Sequence, residues 1–395
     1  MDVSRSVIKL PFGNRILNIA IDYTAALKQG GGIGRYTRGL ITTLARLDRD
    51  DHHYTLLATA DTPRDGLAFF QAYSNFSYKI YPLAERWLTI AWHRLYLPAP
   101  VEWFSGPIDL FHSPNFILPP VRRAKTLLTV HDLSFMRHPQ GAWPSLRRWL
   151  EKVVPRSLAR ADHILADSAS TKNDLVDLFN LDVGRITVVG AGVEERFRPI
   201  TDPIQLDAVR ARYRLPDKFI LGLGTLEPRK NFDGLIKAYS QSPVRETHHL
   251  VIAGGKGWLY DDIFRAAEAS PVANRIHFAG FVADTDLPAL YSLADVFAYP
   301  SHYEGFGIPV IEAMACGTPV VCANNSCLPE VAGESALQVT ATDLSALAGA
   351  LSQSVVDYSL REKCIQTGFS QAQKFTWVAA AERLLNVYRL ILTND

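Results

Sequence analysis

Alternation limits this chain more than any other feature. Short apolar runs rich in β-branched and aromatic residues alternate with helical patterns almost from end to end. The first series is "RILNIAID" (15–22), "YTLLATA" (54–60), "YKIYPL" (78–83), "DLFHSP" (109–114), "TLLTVHD" (126–132), "HILADS" (163–168) and "ITVVGAG" (186–192). Adjacent parallel strands need a long crossover, usually a helix, so this rhythm implies βαβ units and a parallel sheet. A proline-rich, charged stretch over 193–217 breaks the rhythm, and no strand is expected in it. The rhythm restarts with "FILGLGT" (219–225), "HLVIAGG" (249–255), "RIHFAGF" (275–281), "DVFAYPS" (295–301), "TPVVCA" (318–323) and "ALQVT" (336–340). The expectation is an α/β chain of two Rossmann-like, doubly wound parallel-sheet domains facing a central cleft. We place them at 1–195 and 218–375, with a linker at 196–217 and a last helix over 376–395.

Composition excludes several classes. The chain has 395 residues and a net charge of +1, which gives no global attraction for nucleic acid. No apolar run approaches the ~18 residues of a membrane span. The N-terminal stretch lacks an apolar signal core with a small-residue cleavage site. Cys316, Cys322, Cys327 and Cys364 form no zinc-type spacing and read as buried free thiols, so a reducing cytoplasmic setting is expected.

Open parallel sheets bind ligands beyond the carboxyl ends of their strands, and the chemistry-bearing motifs sit there. "QGGGIGRYTRGL" (29–40) follows the first strand and opens a helix. Its glycines let backbone approach a ligand, and the helix start favours an anion. It is not the dinucleotide fingerprint, because Thr37 stands where GxGxxG needs glycine. "GTLEPRKNF" (224–232) puts Arg229 and Lys230 after a strand and a proline turn, a pair able to neutralise a diphosphate. "SHYEGFGIPVIEAM" (301–314) holds Glu304 in a glycine loop and Glu312 in the expected first turn of a helix starting at Pro309. Carboxylates suit the hydroxyl donors of a sugar. "LLTVHDLSF" (127–135) ends a strand with His131 and Asp132. Asp48/Asp50 and Asp284/Asp286 form short DxD patterns that read as turn and helix-start residues, and no metal site is expected.

Taken in order, the GGGIGRYT loop, HDLSF, GTLEPRKN, GFV and SHYEGFGIPVIEAMACGTPVV resemble the retaining glycosyltransferases of family GT4, with the GT-B fold, over nearly the whole chain. The chain looks most like bacterial mannosyltransferases of polysaccharide assembly. The resemblance implies that Arg229 and Lys230 bind the donor diphosphate, that Glu312 holds the ribose, and that Glu304 sits beside the transferred sugar. Backbone N–H groups of Phe306, Gly307 and Ile308 would contact the phosphate or sugar. Gly32 and Gly34 would approach the phosphates, His131 the sugar, and Phe281 with Val282 the base. The last helix would cross back to the first domain. No cofactor or metal is implied.

The donor implied is GDP-mannose, with UDP-glucose, UDP-N-acetylhexosamine and GDP-fucose open. The acceptor is a saccharide or a polyprenyl-diphosphate-linked saccharide bound mainly to the first domain. Segments 85–104 and 143–160 mix aromatics with arginines, a composition that suits peripheral membrane contact. A GT-B phosphorylase or epimerase, or a nucleotide-sugar-binding protein without catalysis, would share the fold. A retaining glycosidase would not need the Arg229–Lys230 pair.

Overall fold

The computed structural model describes residues 16–49 and 52–393. Arg15 of the first apolar run, Asp50 of the first aspartate pair and the last two residues of the final helix lie outside them.

Each of the thirteen apolar runs overlaps a strand. The first sheet holds β1 (Leu17–Asp22), β2 (His52–Ala58), β3 (Phe76–Ile80), β4 (Leu110–Ser113), β5 (Lys125–Val130), β6 (His163–Ala166) and β7 (Ile186–Val188). Their order across the sheet is β3-β2-β1-β4-β5-β6-β7, and every pairing is parallel. The second sheet holds β8 (Phe219–Leu223), β9 (His249–Ala253), β10 (Ile276–Gly280), β11 (Val296–Tyr299), β12 (Val320–Ala323) and β13 (Ala336–Val339), in the order β10-β9-β8-β11-β12-β13 and again all parallel. Strand order reverses between β1 and β4, and between β8 and β11. Doubly wound sheets open a ligand crevice at such switch points.

Burial explains the strand sequences. Helices cover both faces of a parallel sheet, so the central strands read as continuous apolar runs. All four residues of β11 (VFAY) and of β12 (VVCA) are buried. The edge strand β3 (FSYKI) keeps three exposed residues, among them Lys79, whose ammonium donates to the Ser105 carbonyl at 2.6 Å. Charged residues on an edge also discourage pairing with another chain.

The stretch between the domains is more ordered than its composition suggests. It carries a helix, Pro203–Tyr213, started by the Asp202 side chain accepting from the Ile204 N–H. Arg212 and Tyr213 of this helix both donate to Asp286 of the second domain, at 2.6 and 2.7 Å. Asp286 stands at the N-cap of the Leu287–Leu293 helix, yet its carboxylate serves those two groups rather than the cap.

The final helix, Trp377–Thr393, lies against the first domain. Its Trp377 ring covers Gly39 in the Gly32–Leu47 helix, where a Cβ would fall 2.4 Å from the indole. Its Tyr388 hydroxyl meets His112 Nδ1 on β4 at 2.9 Å. Burial pushes His112 down to about 3, so the ring is neutral and shares its two nitrogens between Tyr388 and Thr129.

Candidate active site

The cation pair is built by one sharp loop. Beyond β8 the chain makes a single 3-10 turn, Pro228–Lys230, and Asn231 then takes a left-handed conformation (φ 56°) before the Phe232–Gln241 helix begins. The Asn231 amide donates to the carbonyls of Pro300 and Ala341, at 3.0 and 2.8 Å, and fastens the loop to the ends of β11 and β13. Lys230 is thereby forced inward. Its ammonium is buried, 2.7 Å from Glu304 Oε1 and 2.7 Å from the Tyr299 hydroxyl. Arg229 spans two carboxylates, donating to Glu227 at 2.6 Å and to Glu304 Oε2 at 2.8 Å.

Two cations and two anions thus share one buried pocket at the switch point. Burial opposes ionisation of Glu304, but Arg229 and Lys230 outweigh it and hold the carboxyl at about 2. Burial draws the Lys230 ammonium below the usual lysine range, and Glu304 offsets part of that pull. The two carboxylates balance the two cations and fix where their donors stand.

Glu312 sits farther along the helix than the sequence suggests. The helix runs Ile308–Ala315, so Glu312 lies beyond the first turn and is no helix-start charge. It is 1% exposed. Its partners are the Tyr291 hydroxyl at 3.2 Å and, from the first domain, the Arg35 guanidinium, which donates to both carboxylate oxygens. Burial leaves the Glu312 carboxyl above its ordinary value despite Arg35. Arg35 stands in the glycine motif, immediately after Gly34. Gly34 itself is packed so tightly that a Cβ would fall 1.9 Å from the Gln29 carbonyl oxygen, whereas a Cβ on Gly32 would meet nothing within 4 Å.

His131 follows β5 at the face turned to the second domain. Its ring is buried, with Nδ1 2.8 Å from Asp167 and Nε2 2.8 Å from the Pro114 carbonyl. Both partners are acceptors, so the geometry asks for the doubly protonated ring. Burial works against that charge, but Asp167 outweighs it and raises the ring above its ordinary value. Both ring nitrogens are thus engaged within the first domain in this structure. The His131 backbone faces the second domain: a Cβ on Gly305 would fall 2.1 Å from the His131 carbonyl oxygen. The neighbouring glycine, Gly307, has a left-handed φ of 89° and caps the start of the Glu312 helix.

The base-binding pair divides. Phe281 is 70% exposed and free to lie on a ring, whereas Val282 is in the core and offers only backbone. Phe306 is also buried, edge-on to Phe375, so it too can serve only through its backbone.

The cleft is shut in this structure. Besides Arg35–Glu312, the Tyr303 hydroxyl donates to Asp174 at 2.5 Å, the Ala169 N–H to Glu330 at 3.0 Å, and the Trp258 indole to the Gly141 carbonyl at 2.8 Å. A cavity of about 570 Å³ remains behind the cation loop, lined by Asn324, Asn325, Thr340, Thr342 and His302 among others. Pro228, Leu259, Ile263 and Ala341 line it as well, so its walls are mixed.

Comparison with known proteins fits this geometry. Residues 30–197 match the model described as Glycosyltransferase Family 4, and residues 207–371 the model described as Glycosyl transferases group 1. The O-antigen chain mannosyltransferase B of Escherichia coli is 34% identical over 373 residues, which cover 91% of this chain and 96% of that protein. The chain belongs to family 4 of the glycosyltransferases. This family 4 transferase is also 30% identical over 279 residues to the serotype-specific mannosyltransferase WbdA of E. coli, covering 69% of this chain and 34% of that longer protein. Its GT-B fold is shared with a sucrose-phosphate synthase from Thermosynechococcus elongatus (TM-score 0.74, 22% identity, 96% of this chain and 100% of that one). The Anabaena protein HepE, solved with UDP and glucose, shares it as well (TM-score 0.71, 19% identity, 95% of this chain and 100% of that one).

Four residues of this transferase's site were not singled out from the sequence: Arg35, Glu227, Tyr291 and Tyr299. Arg35 and Glu227 lie inside quoted motifs, so the signal was present but carried no partner. Tyr291 and Tyr299 look like core residues in sequence, and only their buried hydroxyls reveal a second task.

Proposed function

We propose that this glycosyltransferase moves mannose from GDP-mannose, with retention, onto a saccharide or polyprenyl-diphosphate-linked acceptor in cell-surface polysaccharide synthesis. The observation that carries the reading is the buried Lys230–Glu304–Arg229 cluster at the switch point of the second sheet. Likeness to an O-antigen mannosyltransferase over most of both chains supports mannose as the sugar.

In this reading the bond between the sugar's C1 and the diphosphate oxygen breaks, and negative charge gathers on the leaving group. Lys230 and Arg229 meet that charge, together with N–H groups at the start of the Glu312 helix, whose first turn lacks intrahelical partners. In this reading the positive field at the leaving group comes from Lys230, Arg229 and the helix-start N–H groups, and we expect no metal to be needed. The acceptor oxygen attacks C1 from the face the diphosphate leaves, and its proton passes to the departing phosphate oxygen. Glu304 positions the two cations and faces the transferred sugar. The shut cleft keeps water from competing with the acceptor.

The same reading places the protein in the cytoplasm, at the inner face of the membrane. No helix among the described residues is long and apolar enough to cross a membrane. Surface contact has a candidate in the first domain, where Trp87, Tyr96, Trp103 and Trp143 are exposed. Arg86 lies over the Trp87 ring at 4.9 Å, and Arg156 over Tyr96 at 5.0 Å. Aromatic rings beside arginines suit an anionic interface. Flotation with anionic liposomes tests this, and protein left wholly in the soluble fraction would count against it.

The donor is tested by calorimetry and thermal shift with GDP, UDP, ADP and NAD. GDP alone should bind and raise the melting temperature by mass action. Binding of UDP alone would overturn the mannosyl donor. Binding of none would overturn the nucleotide-sugar reading.

A further inference from the structure

Arg35 has one polar group that its contacts leave unsatisfied. Its two terminal nitrogens serve Glu312, with Glu194 3.9 Å away and the Phe197 ring 5.6 Å from the guanidinium carbon. Its Nε is buried and has no hydrogen-bond partner among the described residues. A buried N–H left unpaired is costly, so its partner is expected to be absent rather than unnecessary. Space for a partner lies close by in sequence. Gly30, Gly31 and Gly32 are exposed, and a Cβ on any of them would meet nothing within 4 Å. The first turn of the helix they open holds no acidic residue to repel an anion.

Glu312 presents the complementary problem. Glu312 is 1% exposed, with Arg35 on both its oxygens and Tyr291 on one, so a ligand hydroxyl must compete with Arg35 for it. Displacing Arg35 without replacement would leave a buried guanidinium unpaired, which is strongly unfavourable. A ligand that offers hydroxyl donors to Glu312 and an anion to Arg35 resolves both difficulties at once. A nucleoside diphosphate has both, on adjoining parts of one molecule.

We propose that Arg35 is a diphosphate-binding residue held on Glu312 until the donor arrives. On entry the ribose hydroxyls take over the Glu312 carboxylate. The guanidinium then turns to the diphosphate oxygens, with Nε gaining the partner it lacks. Arg35 thereby makes nucleotide recognition an exchange: the ribose gains Glu312 only when a phosphate is present to receive Arg35. This rests on the nucleotide-sugar reading and adds to it a residue on the first domain that couples donor binding to the cleft.

The test is calorimetry of the full chain and its Arg35→Gln and Arg35→Lys variants with GDP, UDP and guanosine. Wild type should bind GDP far more tightly than guanosine. Arg35→Gln should lose about 10- to 100-fold in GDP affinity, the range for a charge-assisted contact, while guanosine binding holds or improves because Glu312 is no longer contested. Arg35→Lys should keep part of the preference. If Arg35→Gln weakens GDP and guanosine equally, or leaves GDP unchanged, the inference is wrong and Arg35 is only a structural tie. If wild type binds neither GDP nor UDP, the nucleotide-sugar reading falls and takes this one with it. Should Arg35→Gln not fold, Glu312→Gln gives the same answer: guanosine binding should fall while the GDP-to-guanosine ratio rises, and an unchanged ratio overturns the proposal.

Discussion

The Lys230 ammonium lies 2.7 Å from Glu304 Oε1, and the two side chains are only 10% and 7% exposed. Lys230 comes from the loop after β8 and Glu304 from the loop after β11, neighbouring strands at the switch point. The pair is therefore a product of topology, not of local sequence. Replacing Lys230 by Ala should cut kcat by about 10²- to 10³-fold, the usual cost of losing one charge-stabilising donor. Steady-state kinetics at saturating donor checks this, and near-normal turnover would remove Lys230 from the chemistry.

Acid should expose the same pair through stability. The folded Glu304 carboxyl titrates at about 2, below its ordinary 4.5. A carboxyl depressed by folding stabilises the fold above its unfolded pKa, and that contribution is lost as pH falls through the folded value. At ~1.4 kcal/mol per unit, a few kcal/mol should disappear between about pH 4.5 and 2. Denaturant titrations across that window should show a shallower slope for Glu304→Gln, and identical slopes would contradict the assignment.

Closure depends on a missing Cβ. Gly305→Ala would drive a methyl into the His131 carbonyl oxygen, at 2.1 Å before relaxation. The second domain can retreat to relieve it, so the fold should survive while the reacting groups are held apart. Turnover should fall about 10- to 100-fold, with donor affinity changed much less, since sub-ångström placement governs the rate. Solution scattering should report a larger radius for the variant. A normal radius together with normal kcat would show that the contact is dispensable.

Gly39 matters for a different interface. Gly39→Val would press into the Trp377 indole, which lies 2.4 Å from the position of a Cβ. Overpacking a closed interface costs about 1–3 kcal/mol, and here the strain falls on the attachment of the last helix. The melting temperature should drop, and Trp377→Leu should restore part of it in the double variant. Additive losses would show that the two residues do not meet.

The strands were legible because parallel sheets bury both faces and write themselves as apolar runs. Arg229, Lys230 and Glu304 were legible because each follows a strand, where such sheets hold ligands. What escaped was pairing between distant stretches of sequence, across the cleft and within the first domain. Nothing near Glu312 in sequence names Arg35, and nothing near His131 names Asp167 and Pro114, which between them occupy its ring. Val282 escaped for a related reason: in "GFV" it and Phe281 look alike, and only the fold turns one outward and the other into the core. The Pro203–Tyr213 helix was hidden by flanking prolines and by charges that its contacts with Asp286 later explain.

The chain passes between domains twice, and the two crossings touch. The Val193 N–H donates to the Phe375 carbonyl at 3.0 Å, Val193 pairs in parallel with Thr376, and a Cβ on Gly192 would fall 2.2 Å from the Trp377 nitrogen. The first domain as a spatial body is therefore discontinuous in sequence. A chimera joined only at the interdomain stretch would set a foreign acceptor domain against a Trp377–Thr393 helix shaped for another partner. To graft this donor domain onto a new acceptor domain, the last helix must travel with the acceptor domain, making the exchange a matter of two splice points rather than one.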